Sequence, residues 1–235
     1  MKTYLLVHGA WHGGWCWRRI DEPLRRSGHV VFAPTLTGLA DRSHLLSRDI
    51  GLETHVDDIA NLIRWHDLNG IVLCGHSYGG MVITGVADRI PDRIRALVHV
   101  DSFVPENGQC ALDQVSPERR AEIEATIRTA GQGWFAPPTP ARRFGVTDPA
   151  DIAWIDGRCT PQPARCMTDP IHLTGAWHRV PRKVYVLAAA NKGSAYQAVH
   201  ARLHEDRNWE THSVPSGHEM MITHPHQLTE ILLSA

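Results

Sequence analysis

Residues 71–90 read IVLCGHSYGGMVITGVADRI, and this stretch decides the fold. Its first four residues, Ile71-Val72-Leu73-Cys74, form an apolar, partly β-branched run of the length of a buried strand. Its end is amphipathic, with Val82, Val86 and Ile90 recurring at helical spacing. Between them stands Gly75-His76-Ser77-Tyr78-Gly79, a G-x-S-x-G pentapeptide. A strand that turns directly into a helix strains the backbone of the middle residue and lifts its side chain above the sheet. The flanking positions must be small, because strand and helix pass too close for a Cβ, and Gly75, Gly79 and Gly80 meet that need. Ser77 then sits at a helix N-terminus, where free N–H groups favour negative charge. It is the candidate nucleophile, with an ordinary Gly-rich turn as the alternative.

On the N-terminal side, residues 3–7 read as a short apolar strand that runs into His8-Gly9-Ala10-Trp11-His12-Gly13-Gly14. This loop does not fit G-x-G-x-x-G and lacks the lysine of a phosphate-binding loop. Acyl transfer needs two N–H donors converging on a developing oxyanion. One comes from the residue after the nucleophile, Tyr78, and the other from an early strand's loop, here Ala10. Residues 15–27 read as a helix stopped by Gly28, residues 29–33 as a second strand, and residues 52–68 as a second helix. Beyond the elbow helix, residues 94–100 form another strand, ending in Asp101. This alternation implies a mostly parallel, doubly wound α/β sheet, whose ligands bind beyond the carboxyl ends of the strands. His8, Ser77 and Asp101 all fall at such ends.

From residue 106 to about 180 the alternation breaks, with a helix over 117–130 followed by Gly-, Pro- and aromatic-rich sequence. The expected organisation is a core of residues 1–105 and 181–235 with a helical cap, 106–180, inserted after the strand ending at Asp101. Trp11, Trp134, Phe135 and Trp154 are the expected substrate contacts, and Trp177 is a further candidate. The alternative for the cap aromatics is that they pack a small core of the cap itself. The sheet resumes with KVYVLAA at 183–189, a helix over 195–203, a strand over 209–214 and a last helix over 225–233. His218, in the loop Pro215-Ser216-Gly217-His218-Glu219, is the candidate general base. His200 and His204 lie four apart on one helix; without a third ligand they read as a solvated pair rather than a metal site.

The 235 residues suit one sizeable domain. The formal net charge is −1, and the 24 basic residues are scattered, so nothing argues for nucleic acid or an anionic membrane. Five cysteines without a C-x-x-C pair suggest a reduced, cytoplasmic protein. No run approaches the length of a membrane span. Oligomeric state stays open, a homodimer included.

LVHGAWHGGWCW, PTLTGLADRSHL, GHSYGGMVITG, VDSFVPENGQ and PSGHEMMITHP together resemble the α/β-hydrolase superfamily. Within it they look like the branch of plant methyl esterases, hydroxynitrile lyases and bacterial carboxylesterases such as pyrethroid hydrolases. The resemblance implies Ser77 as nucleophile, His218 as base, the N–H groups of Ala10 and Tyr78 as oxyanion hole, and no cofactor or metal. It implies hydrolysis of small to medium apolar carboxylic esters. Two departures bear on this. Lyases of the branch carry a Lys after the catalytic His and a Thr in the first loop, where this chain has Glu219 and Ala10, so lyase chemistry is not expected. The triad acid usually follows the strand KVYVLAA, where this chain has Asn191. Asp101 is the substitute, either as the partner of His218 or as a structural residue. The missing acid leaves three other readings open. They are lactone or amide hydrolysis, a non-hydrolytic cyclisation or elimination at the same site, and ligand binding on a hydrolase scaffold.

Overall fold

The computed structural model describes residues 1–192 and 194–235. β1 (Thr3–Val7), α1 (Arg18–Arg26), β2 (Val30–Phe32), α2 (Leu52–Trp65), β3 (Ile71–His76), α3 (Gly79–Arg89) and β4 (Ile94–Val100) follow one another in strict alternation. The chain then leaves the sheet through α4 (Pro117–Thr129), β5 (Phe135–Ala136), α5 (Pro149–Asp156), β6 (Gln162–Pro163) and α6 (Arg165–Thr168). It returns with β7 (Arg182–Ala188), α7 (Ala195–His204), β8 (Trp209–Val214), α8 (Met220–Thr223) and α9 (Pro225–Ser234).

The main sheet has the order β2-β1-β3-β4-β7-β8, and every pair is parallel. Strands buried on both faces read as continuous apolar runs, and alternate residues serve opposite layers. Leu5, Val7, Ile71, Leu73 and Leu97 pack with Val56 and Ile59 of α2 and Val82 and Val86 of α3. Tyr4, Leu6, Val72, Cys74 and Val98 pack with Ile20 and Leu24 of α1 and Leu228 and Leu232 of α9. The chain winds from β1 to β2 on one side and from β3 to β8 on the other. The switch point therefore falls between β1 and β3, and sheets of this kind bind ligands beyond the carboxyl ends of the strands at that point. The Ala10 loop and Ser77 follow those two strands.

Several expected boundaries shift. The helix expected over 15–27 opens with a 3-10 turn, Gly14–Trp17, and α2 ends at Trp65, before Asp67 takes a left-handed φ of 50°. In the segment 106–180, β5 and β6 form an antiparallel pair that sequence periodicity does not reveal. Its apolar residues extend the layers of the sheet: Ile123, Ile127 and Met167 join one, and Ala141, Ile152 and Ile155 the other. Among the described residues no helix is long and apolar enough to cross a membrane.

Candidate active site

Ser77 has φ of 53°, a left-handed conformation rare for a residue with a side chain. The elbow is held by Ser77 N–H donating to the Val100 carbonyl at 3.2 Å and by the Ser77 carbonyl accepting from Gly80 N at 3.0 Å and Phe103 N at 3.3 Å. A Cβ on Gly75 would lie 2.7 Å from the Gly79 carbonyl oxygen, and one on Gly80 only 2.1 Å from that of Phe103. Close approach of backbone to backbone is thus the reason for the glycines.

The first loop meets the elbow at Gly9, where a Cβ would stand 3.0 Å from Ser77 Cβ. Neighbouring groups of this loop are pinned. His12 Nδ1 donates to the Ala10 carbonyl at 2.7 Å, Trp11 N–H to Gln162 Oε1 at 3.1 Å, and Trp11 Nε1 to the Ala136 carbonyl at 3.0 Å. Trp11 itself has φ of 65°. Among the described residues, no acceptor engages the backbone N–H of Ala10 or of Tyr78. The Tyr78 side chain is tied back, its hydroxyl 3.0 Å from His55 Nδ1.

His218 is buried, at 4% exposure, in the loop after β8. Its N–H donates to the Phe144 carbonyl at 2.9 Å, and its carbonyl accepts from His76 Nε2 at 3.0 Å. Gly217 is required beside it, because a Cβ there would fall 2.6 Å from the Phe144 oxygen. His218 Nδ1 donates to Asp101 Oδ2 at 2.6 Å. This fixes the tautomer and leaves Nε2 as the basic nitrogen. Asp101 is fully buried, with φ of 39°, and its other oxygen accepts from Ala188 N at 3.1 Å. Asn191 donates its amide to Asp101 Oδ2 at 3.1 Å. Of the two roles the sequence left open for Asp101, partner of His218 or structural residue, the hydrogen bond to His218 fits the first, and Asn191 turns its amide onto the same carboxylate oxygen.

A second buried cluster lies behind this group. His76 packs on His218 with ring centroids 4.4 Å apart, and burial, then the nearby His218, holds its pKa down to about 3, so it is neutral. The Glu219 carboxylate lies within 4.8 Å of a His218 ring nitrogen, and its ion-pair partner is His12, Oε2 to Nε2 at 3.4 Å. Burial alone would neutralise both groups. Their mutual attraction outweighs it, raising the His12 pKa and holding the Glu219 carboxyl below its usual range. His76, His218 and Glu219 offer ligand atoms within 4.8 Å of one another, but His218 and Glu219 already have their partners in Asp101 and His12.

The pair makes stability depend on pH. A raised His12 pKa stabilises the fold fully below the unfolded value and is lost as pH rises through the folded one. A depressed Glu219 pKa stabilises it above the unfolded value and is lost as pH falls through the folded one. The contribution is therefore full between about pH 4.5 and 6.5. Glu219→Gln should cost about 3 kcal/mol in urea unfolding at pH 5.5. As pH rises through the raised His12 pKa the wild-type carboxylate loses its partner and the gap should narrow; a cost that stays equal as pH is raised would contradict the pairing.

The expected substrate contacts separate. Trp11 stands 6.1 Å from Phe144, whose ring is 5.4 Å from that of His218. Trp134 and Phe135 pack edge to face on each other at 5.1 Å, with the Arg48 guanidinium over Trp134. Trp154 is turned elsewhere, edge-on to Trp15 at 4.9 Å and between Arg19 and Arg158, outside the rings around Ser77 and His218. Trp177 is buried against α3, its backbone N–H donating to Asp88 Oδ1 at 3.1 Å. His200 and His204 stack at 5.8 Å, and His204 Nδ1 bonds Thr211 Oγ1 at 2.7 Å. Sequence reasoning missed Phe144, His12 and Tyr196. The hydroxyl of Tyr196 lies 3.3 Å from Ser77 Oγ. No motif marks it; only its place on the helix after β7 brings it to the site.

Known proteins match this chain over nearly its whole length. A family described as "Alpha/beta hydrolase family" covers residues 4–231. The carbendazim hydrolyzing esterase of Nocardioides sp. (strain SG-4G) is 39% identical, over 99% of this chain and 98% of its own length. Methylesterase 9 of Arabidopsis thaliana is 27% identical, over 99% of this chain and 97% of its own. An extracellular alpha/beta-hydrolase from a Paenibacillus species superposes with a TM-score of 0.88 at 23% identity, covering 100% of this chain and 99% of that one, and so shares its fold. By the family match and the full-length relatives, the chain belongs to the alpha/beta hydrolase family.

Proposed function

We propose that the protein is a serine esterase that cleaves small to medium apolar carboxylic esters through an acyl-enzyme on Ser77. The observation that carries this reading is the 2.6 Å contact of His218 Nδ1 with Asp101, in a loop packed against a strained Ser77 elbow. His218 Nε2 takes the Ser77 proton as Oγ attacks the acyl carbon, then returns a proton to the departing alkoxide. Asp101 holds the tautomer and stabilises the imidazolium. The N–H groups of Ala10 and Tyr78, without an acceptor among the described residues, receive the oxyanion. Water activated by His218 completes the cycle, so side chains and water suffice. Segment 106–180 serves as the lid over the site, since Gln162 and Ala136 tie down the Ala10–Trp11 loop and Phe144 reaches His218. Esterase activity is supported by the names of the full-length relatives, and these make methyl esters the first substrates to try.

The ligand-binding reading drew on the missing acid at Asn191, and loses that support once Asp101 serves His218. The test is product analysis with p-nitrophenyl acetate and methyl esters of small aromatic and aliphatic acids. Release of acid and alcohol, one water consumed per turnover, is expected. Binding of these esters without any hydrolysis would contradict the proposal.

A further inference from the structure

Tyr196 lies outside every motif that located the site, on the first turn of α7. Its ring is parallel to the His218 imidazole, with centroids 5.1 Å apart and planes within 6°. Phe103 meets the ring at 5.3 Å. This packing brings the phenolic oxygen to 3.3 Å from Ser77 Oγ. Burial pushes the phenol pKa well up, so the hydroxyl keeps its proton across the working range of an esterase. A phenol is a stronger donor than an aliphatic alcohol, so Tyr196 O–H donates and Ser77 Oγ accepts.

We propose that Tyr196 is a catalytic residue of the second half-reaction, donating to Ser77 Oγ while the acyl-enzyme breaks down. The proposal rests on the acyl-enzyme reading above. A donor on Oγ counts differently in the two halves because the starting states differ. Acylation starts from the free hydroxyl, which already receives the hydrogen bond, so little is gained on the way to the transition state; deacylation starts from an ester oxygen, a poor acceptor, and gains the bond as the acyl group leaves. During deacylation Oγ is the leaving group. Water adds to the acyl carbon and passes one proton to His218 Nε2. The tetrahedral intermediate collapses, the C–Oγ bond breaks and its electron pair returns to Oγ. His218 delivers the proton there, so one water is consumed, the carboxylic acid leaves, and Ser77 and neutral His218 are restored. Negative charge grows on Oγ as that bond stretches, and Tyr196 O–H is already in place to stabilise it, as an oxyanion donor does on the carbonyl oxygen.

Tyr196→Phe removes the donor and keeps the ring on His218. With p-nitrophenyl acetate, stopped-flow release of p-nitrophenolate reads acylation, and intact mass after acid quench reads acyl-enzyme decay. The expected result is deacylation slowed about tenfold, a full burst, and kcat and KM falling together with kcat/KM within about twofold of wild type. If the hydroxyl only shaped the site, kcat/KM would fall with kcat and no burst would appear. That result, or rates equal to wild type, would overturn the proposal. If Ser77 of the wild type acquires the acyl group in the same quench, either result sinks the role of Tyr196 alone. If turnover proceeds with no acyl group ever on Ser77, the acyl-enzyme reading falls and Tyr196 with it.

Discussion

Ser77→Ala should lower kcat for a short-chain ester by about 10⁶-fold, the scale seen when a serine hydrolase loses its nucleophile. At 1.36 kcal/mol per tenfold, this is about 8 kcal/mol of barrier. Residual rate above water would come from the oxyanion hole and binding alone. The fold should persist, since Ser77 Oγ has its only described hydrogen bond with Tyr196, at 3.3 Å. Unfolding free energy should change by no more than about 1 kcal/mol, as for substitutions that neither open a large cavity nor strand a buried charge. Steady-state turnover beside urea unfolding checks both halves. Loss of fold with loss of activity would leave the nucleophile unproven, whereas turnover near wild type would refute it.

Asp101→Asn should cost about 10⁴ in kcat, the scale of the same change in a serine protease triad. The geometry explains why an isosteric amide fails. One oxygen of Asp101 accepts from Ala188 N, and the other accepts from both His218 Nδ1 and Asn191 Nδ2. An amide has one accepting oxygen. With that oxygen toward Ala188, its NH₂ faces His218 and favours the tautomer protonated on Nε2, which cannot take the Ser77 proton. With the oxygen toward His218, the NH₂ meets the Ala188 N–H in a buried site, a donor against a donor. Asn191→Asp should not help. It would set a second carboxylate at the 3.1 Å contact with Asp101, so that one of the two takes up a proton and His218 loses a clean anion. Turnover of the wild type, Asp101→Asn and Asn191→Asp on one ester gives the comparison. Acceleration by Asn191→Asp with Asp101→Asn harmless would reverse the assignment.

Much of the fold was legible because it is written in local periodicity. The apolar runs of β1, β3 and β7, the helical spacing in α2 and α3, and the glycines of the elbow are all readable within a few residues. Ser77, Asp101 and His218 could be singled out because each follows a strand, and a parallel sheet gathers such positions at one edge. The sequence could not decide between Asp101 and Asn191, since both follow adjacent strands, β4 and β7, and only the side-chain directions separate them. Trp154 stands apart from the other expected contacts for a similar reason. Aromatic character marks a side chain that buries surface, but not the layer it joins, and Trp154 turned toward Trp15 and α1. Tyr196 was invisible because its role comes from how α7 docks, with its ring against Phe103 and His218. Glu219 lies beside His218 but pairs with His12, more than 200 residues away in sequence, and that partner could not be read from the chain.

In the proposed mechanism Ser77 is a nucleophile activated by His218 and Asp101. The most direct measurement is exposure of the wild type, Ser77→Ala and His218→Ala to a phosphonylating reagent with an apolar alkyl chain, followed by intact mass and peptide mapping. One phosphonyl group on the peptide holding Ser77, with activity lost in proportion, is the predicted result. Ser77→Ala should take up none, and His218→Ala should react far more slowly. Full activity after exhaustive exposure, or an adduct on another residue with Ser77 untouched, would contradict the account.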